Sequence, residues 1–308
     1  MLLQDKVAVI TGLGPGLGRE LSVLFAREGA SVVIGSRTAA YVEEVAAEIT
    51  AAGGQVVGVP TDITDRSQCD RILQAAVDSF GGVDIVLQNG FMSPAFELFE
   101  NADLAKWRTA MNVNTWGSLE LAQAAVPHLK ARGGGSIIMV SSMISRKVLP
   151  MQGGYAISKG ALNTAVQVLA RELGQHKIRV NSIVPGWMMG PSVEWYFEFM
   201  EAQGTPKDEL YADIASNIAL GVIPTDDECA KAALRCECKT QQKNLCLKRY
   251  SPCLRAICPD GASSRSPSSS CCSPPCHRSQ RRSSSSRECF RCPAGCGWRR
   301  GPWRGHAG

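Results

Sequence analysis

Lys6–Gly18 reads KVAVITGLGPGLG. The Val- and Ile-rich run KVAVIT predicts a first strand over Lys6–Thr11. Glycines follow at positions 12, 14, 16 and 18, and the apolar spacing then turns helical over Gly18–Glu28. A strand, a glycine-rich turn and a helix in direct succession form one β-turn-α unit. Outward from it the alternation continues. Further strands are predicted at Ser31–Ser36, Gln55–Pro60, Val83–Gln88, Ser136–Ser141 and Ile178–Val184. Amphipathic helices are predicted between them at Ala39–Ala52, Ser67–Phe80 and Tyr155–Gly174. Such alternation predicts an α/β fold, a doubly wound parallel sheet with helices on both faces. The strands are apolar throughout, as burial on both sides requires.

The turn Thr11–Gly18, TGLGPGLG, points to a phosphate ligand. Glycines allow close backbone approach to a pyrophosphate, and the helix that follows faces it with unpaired N–H groups. At the end of the second strand an NAD site would place an acidic residue on the ribose 2′-hydroxyl. Ser36 and Arg37 stand there instead. A guanidinium pairs with a 2′-phosphate through charge-assisted hydrogen bonds, which favours NADP(H) over NAD(H). Asp62 ends the third strand and has two readings, an acceptor for the adenine amine or a cap on its own turn. Asn89 ends the fourth strand, where a short amide bridges neighbouring loops and lines the cofactor cleft.

Four polar residues carry the chemistry: Asn114, Ser142, Tyr155 and Lys159. Tyr155 and Lys159 lie four apart and share one helix face. An ammonium beside a phenol favours the phenolate, which makes a general acid/base usable near neutral pH. Ser142, just past the fifth strand, is placed to hydrogen-bond a substrate oxygen. Asn114 is expected to hold a water that links Lys159 to solvent.

These pieces, with IRVNSIVPG at 178–186, resemble the classical short-chain dehydrogenases/reductases over about residues 1–235. The resemblance implies a Rossmann-type fold, hydride transfer at the nicotinamide, and a homodimer or homotetramer. It implies that Ser142 polarises the carbonyl and Tyr155 moves the proton. Lys159 then also holds the nicotinamide ribose, and Asn114 completes a proton relay. Cofactor contacts are implied for Thr11, Gly12, Gly16, Leu17, Gly18, Ser36, Arg37, Asp62, Ile63, Asn89, Tyr155, Lys159, Pro185 and Gly186. The chain departs from the family in places. Gln88-Asn89-Gly90-Phe91 replaces Asn-Asn-Ala-Gly, so that Phe91 narrows the cleft, and WMMGPS follows Pro185-Gly186 where a Thr is usual. The aromatic and Met-rich run Trp187–Met200 reads either as the wall of a pocket for a hydrophobic alcohol or ketone or as the core of an amphipathic helix.

Helices are further predicted at Val193–Ala202, Pro206–Ala219 and from Pro224 to Arg235, the last with Thr225 as cap. Composition then changes. Residues 1–235 carry 19 Lys/Arg against 25 Asp/Glu, and residues 236–308 carry 14 against 3. Eleven of the 13 cysteines lie after position 235. The division is therefore a catalytic domain over 1–235 and a basic Cys/Ser/Arg/Pro-rich tail over 236–308, expected to be disordered. The tail stands where the family has a final strand ending Val-Asp-Gly-Gly, and its loss is expected to weaken stability, assembly and activity. A reading-frame change or alternative splicing would produce such a break. The tail cysteines match no ordinary zinc finger, and residues 1–235 hold no zinc ligand set, so no metal is expected. The mildly acidic body suggests no specific nucleic acid, and no apolar run reaches membrane-spanning length. With two scattered cysteines in the body and no leader pattern, the expected location is cytoplasmic. Two other classes fit the same residues: a dinucleotide-sensing regulator without turnover, and a nucleic-acid binder acting through the tail.

Overall fold

The computed structural model describes residues 1–237, so the expectations for the tail and its missing strand lie outside the described residues. Six strands form one parallel sheet: β1 (Val7–Thr11), β2 (Ser31–Gly35), β3 (Val56–Gly58), β4 (Ile85–Gln88), β5 (Gly135–Val140) and β6 (Ile178–Ile183). Their order is β3-β2-β1-β4-β5-β6, the doubly wound arrangement. Helices α1 (Leu17–Arg27), α2 (Ala39–Ala51) and α3 (Arg66–Phe80) connect the first half. Helices α4 (Leu104–Met111), α5 (Ser118–Ala131) and α6 (Gly153–Leu173) serve the second. Helices α7 (Pro191–Ala202), α8 (Lys207–Ser216) and α9 (Asp226–Glu237) follow β6.

Strand pleating divides the interior in two. Ala8 and Ile10 face a core shared with Leu21 and Phe25 of α1 and Ala233 of α9. Val7 and Val9 face the other, with Ile72 of α3, Leu121 of α5 and Leu162 of α6. This two-sided burial explains the unbroken apolar strands. A third, smaller cluster of Phe197, Leu210, Ile214 and Ile223 holds α7 and α8 together.

The strands observed are shorter than the apolar runs at several ends. β4 begins at Ile85 rather than Val83 because Asp84 acts as a clasp. Its carboxylate accepts from the Val7 N–H at 3.0 Å, from Arg132 at 2.9 Å and from Lys6 at 3.3 Å. Burial pushes the Asp84 carboxyl up, but the Arg132 and Val7 hydrogen bonds and the two cations prevail and hold it below the ordinary range. At the other end of the chain α9 continues two residues past the composition break. Arg179 on β6 pairs with Glu237 at 2.7 Å and donates to the Cys236 carbonyl at 2.7 Å. Glu237 also accepts from the Ser136 hydroxyl on β5. Thr225 sits before α9, and its N–H donates to Glu228 at 3.0 Å, one half of a capping box. No helix among the described residues is long and apolar enough to cross a membrane.

Candidate active site

β1 and β4 are neighbours in register, Thr11 opposite Gln88, yet their chains leave toward opposite halves of the sheet. The crevice at such a switch point is where doubly wound sheets bind ligands. Two loops close its floor. Gly12 has φ +79°, and a Cβ there would lie 1.8 Å from the Gly90 nitrogen. Asn89 fastens the contact, its side-chain amide donating to the Gly12 carbonyl at 2.9 Å and its N–H to the Thr11 carbonyl at 2.9 Å. The bridging expected of Asn89 is what the structure shows. The Thr11 hydroxyl and the Gln88 side-chain carbonyl, both buried, have no partner among the described residues.

The turn is shaped for a phosphate. Gly16, the N-cap of α1, has φ +98° and offers no side chain to the leading N–H groups of Leu17 and Gly18. Space around Gly14 is open, with no atom within 4 Å of a Cβ placed there. A dinucleotide therefore fits the residues present. At the end of β2, the Ser36 hydroxyl lies 3.5 Å from the Thr38 carbonyl, and Arg37 is exposed and enters no ion pair among the described residues. Asp62 caps its own turn, accepting from the Thr64 N–H at 2.9 Å and hydroxyl at 2.8 Å. The side chain of Ile63 is buried in the second core and packs against Gly117.

The catalytic candidates arrive from three elements. Ser142 follows β5 in extended backbone, and its hydroxyl meets the phenol of Tyr155 at the start of α6. Lys159, one turn on, is fully buried, donates to the Val140 carbonyl at 2.7 Å and lies 5.9 Å from the centre of the Tyr155 ring. Asn114 sits in a π-helical turn, Asn112–Gly117, between α4 and α5. Its side chain clamps the Met92 backbone, accepting at 2.7 Å and donating at 2.8 Å, and donates its second amide proton to Ser158 at 2.8 Å. Both amide protons are thus spent on protein partners, and the side chain acts as a clamp on the Met92 backbone. Helices α4 and α5, which flank Asn114, and the residue Ser158 are not predicted from sequence. Ser158 links Asn114 to the Tyr155 carbonyl at 2.8 Å, and its only signal was its place beside Lys159.

Burial pushes the Tyr155 phenol up, and the Ser142 hydrogen bond draws it back only in part. Burial brings Lys159 down to about 7. Lys159 Nζ, held at the Val140 carbonyl, thus lies beside the Tyr155 ring, with burial shifting both groups toward their neutral forms.

Phe91 tilts against Tyr155 at 6.1 Å and lies 6.0 Å from Lys159 Nζ, so it does border the cleft. A cavity of about 520 Å³ is lined by Met143, Leu149, Gly186, Trp187, Tyr196 and Ile214 among others, with Lys147, Asp213 and Asn217 as its polar members. The Pro185 carbonyl accepts from the Met143 N–H at 2.8 Å, which joins its two walls. The aromatic run is divided: Trp187 and Tyr196 line the cavity, while Phe197 is buried in the α7–α8 cluster.

Comparison with known proteins agrees with this geometry. An uncharacterized oxidoreductase of Methylorubrum extorquens is 34% identical over 74% of this chain and 88% of its own. The short-chain reductase protein NovJ of Streptomyces niveus is 32% identical over 74% of this chain and 85% of its own. The crystal structure of L-sorbose reductase from Gluconobacter frateurii, complexed with NADPH and L-sorbose, superposes with a TM-score of 0.72. It is 28% identical and covers 78% of this chain and 92% of that one. The pattern of the short chain dehydrogenase family matches residues 6–197, and the chain belongs to that family of oxidoreductases.

Proposed function

We propose that the protein reduces a hydrophobic ketone or aldehyde, or oxidises the matching alcohol, with NADP(H). The observation that carries this reading is the Ser142–Tyr155–Lys159 group, next in the chain to Met143, which lines the mainly apolar cavity of about 520 Å³. When bound, the nicotinamide supplies the hydride that reaches the carbonyl carbon. Ser142 donates a hydrogen bond to the carbonyl oxygen and fixes it beside Tyr155. The protonated phenol gives its proton to that oxygen as the alkoxide forms. Lys159, whose proton burial makes easier to give up, supplies a proton to the phenolate. Trp187, Tyr196 and Met143 exclude water from the reacting carbon.

Tyr155→Phe removes the proton donor and little else. Turnover should fall about 10²–10⁴-fold, the usual share of a general acid, while NADPH binding by fluorescence titration stays near that of the parent. The assay follows NADPH absorbance over a panel of apolar ketones. Full activity in the Phe variant would sink the mechanism.

Preference for NADP(H) rests on Arg37, and the NADPH complex of the sorbose reductase points the same way. Arg37→Ala should weaken NADPH about 10–100-fold, the cost of losing hydrogen bonds to a charged group, and leave NADH unchanged. Tighter binding of NADH than NADPH by the parent would refute the preference. Self-association as a homodimer or homotetramer is supported by exposed Leu104, Trp116 and Ile157 on α4, its π-turn and α6. The unbridged thiols Cys69 and Cys229 suit the cytoplasm. We take residues 1–235 as the catalytic domain, with the tail outside it.

A further inference from the structure

Asp226 opens α9, and its carboxylate lies in a corner beside the glycine-rich turn. A Cβ on Gly16 would stand 2.5 Å from Asp226 Oδ2, and one on Gly190 would stand 2.4 Å from it. These glycines are the N-caps of α1 and α7, so three helix starts meet at this carboxylate. Helix starts favour negative charge, which makes an acid tolerable there. The same property draws a pyrophosphate to the turn.

No hydrogen bond or cation among the described residues offsets the charge of Asp226. The groups that face it are acidic: Glu20 from α1, Glu194 from α7 and Asp227 from α9 itself. Nearby cations are engaged elsewhere, Arg19 with Glu48 and Glu20, and Lys231 with Asp227.

We infer that Asp226 sets the affinity of the glycine-rich turn for the dinucleotide, opposing its pyrophosphate when ionised and admitting it when protonated. This rests on the dinucleotide-binding reading above and adds a residue outside the expected cofactor contacts. Burial first, then the repulsion of Glu20, Glu194 and Asp227, raises the Asp226 carboxyl to about 6. A bound pyrophosphate raises it further. Binding therefore takes up a proton, and affinity is full below about pH 6 and falls as pH rises through the neutral range.

The probe is ADP-ribose, which carries the pyrophosphate without the 2′-phosphate, itself a group that titrates near neutrality. Calorimetric titration of the full chain at pH 5.5 and 8 should give a dissociation constant about tenfold weaker at pH 8, the effect of one unit of pKa shift. Repeating it at pH 6.5 in two buffers of different ionisation heat should reveal proton uptake. Asp226→Asn should bind as tightly at pH 8 as the parent does at pH 5.5, with no pH dependence. Proton uptake by the parent tests the idea even if the Asn variant misfolds. Binding by the parent that is flat with pH would overturn the role of Asp226 and leave the dinucleotide reading intact. Absence of binding for both ADP-ribose and NADPH would overturn that reading, and the inference with it. Weaker binding by a folded Asn variant would show the carboxylate to be a ligand-holding group and overturn the inference too.

Discussion

Lys159→Met is expected to abolish turnover and yet make the protein more stable at pH 6. The ammonium is fully buried, and burial alone lowers its pKa from 10.5 to about 7. That depression corresponds to about 5 kcal/mol of penalty on the charged form at low pH. Methionine fills the same space without the charge. It leaves the Val140 carbonyl without its 2.7 Å partner, a loss of about 1–3 kcal/mol for an unsatisfied buried group. The burial penalty wins, so the net gain is about 2–4 kcal/mol at pH 6. Its sign follows from linkage. The unfolded chain keeps a proton that the folded chain releases between about 7 and 10.5, so the parent gains stability as pH rises through that window. The advantage of the Met variant should therefore shrink with pH and reverse above it. Urea melts at pH 6 and pH 10 measure both ends. A Met variant less stable than its parent at pH 6 would show that the lysine sits there at no cost.

Gly12→Ala should be the most damaging single methyl group in the molecule. The new carbon would fall 1.8 Å from the Gly90 nitrogen, and the contact is backbone on backbone, with no side chain to yield. The φ of +79° adds strain of about 1–2 kcal/mol for any residue with a Cβ. Parting the two loops also breaks the Asn89–Gly12 hydrogen bond and opens the floor of the crevice. Together these approach the ~5–15 kcal/mol that holds a whole domain folded. The expected result is little soluble protein, or a melting temperature lower by about 10 °C or more. Gly14→Ala is the matched comparison, since nothing lies within 4 Å of its added carbon. Its melting temperature should stay near that of the parent. Equal melting of the Gly12 variant and the parent would show that the loops do not touch as described.

What could be read from sequence was whatever local pattern alone decides. The strand–helix alternation, the position of the glycine turn and the shared helix face of Tyr155 and Lys159 follow from periodicity and spacing, because burial on two faces forces unbroken apolar strands. Strand ends did not follow. Val83–Gln88 looks uniform in one dimension, but Asp84 is taken out of the strand by Arg132 and Lys6, which are distant in sequence. The π-turn around Asn114 has no signature in NVNTWG. It is set by what Met92 and Ser158 present to the amide from other segments. The depth of Lys159 is hidden from sequence for a related reason. Four-residue spacing guarantees a shared helix face, but it does not say where a long side chain ends. Lys159 extends to Val140, so burial rather than the phenol governs its charge. Asp226 was passed over because an acid at a helix start ordinarily needs no further explanation.

The α7–α8 cluster has four buried apolar side chains of its own, whereas each side of the sheet has a far larger core. In hydrogen-exchange terms these helices should open as a separate foldon, while β1, β4 and β5 exchange only through global unfolding. Chemistry and selectivity are thus carried by parts of unequal rigidity. The proposed proton transfer sits on the sheet and α6, and one wall of the cavity rides on a segment with a separate core. On the proposed function, substitutions in Trp187–Ile218 would therefore change which carbonyl is accepted while the machinery acting on it stays fixed.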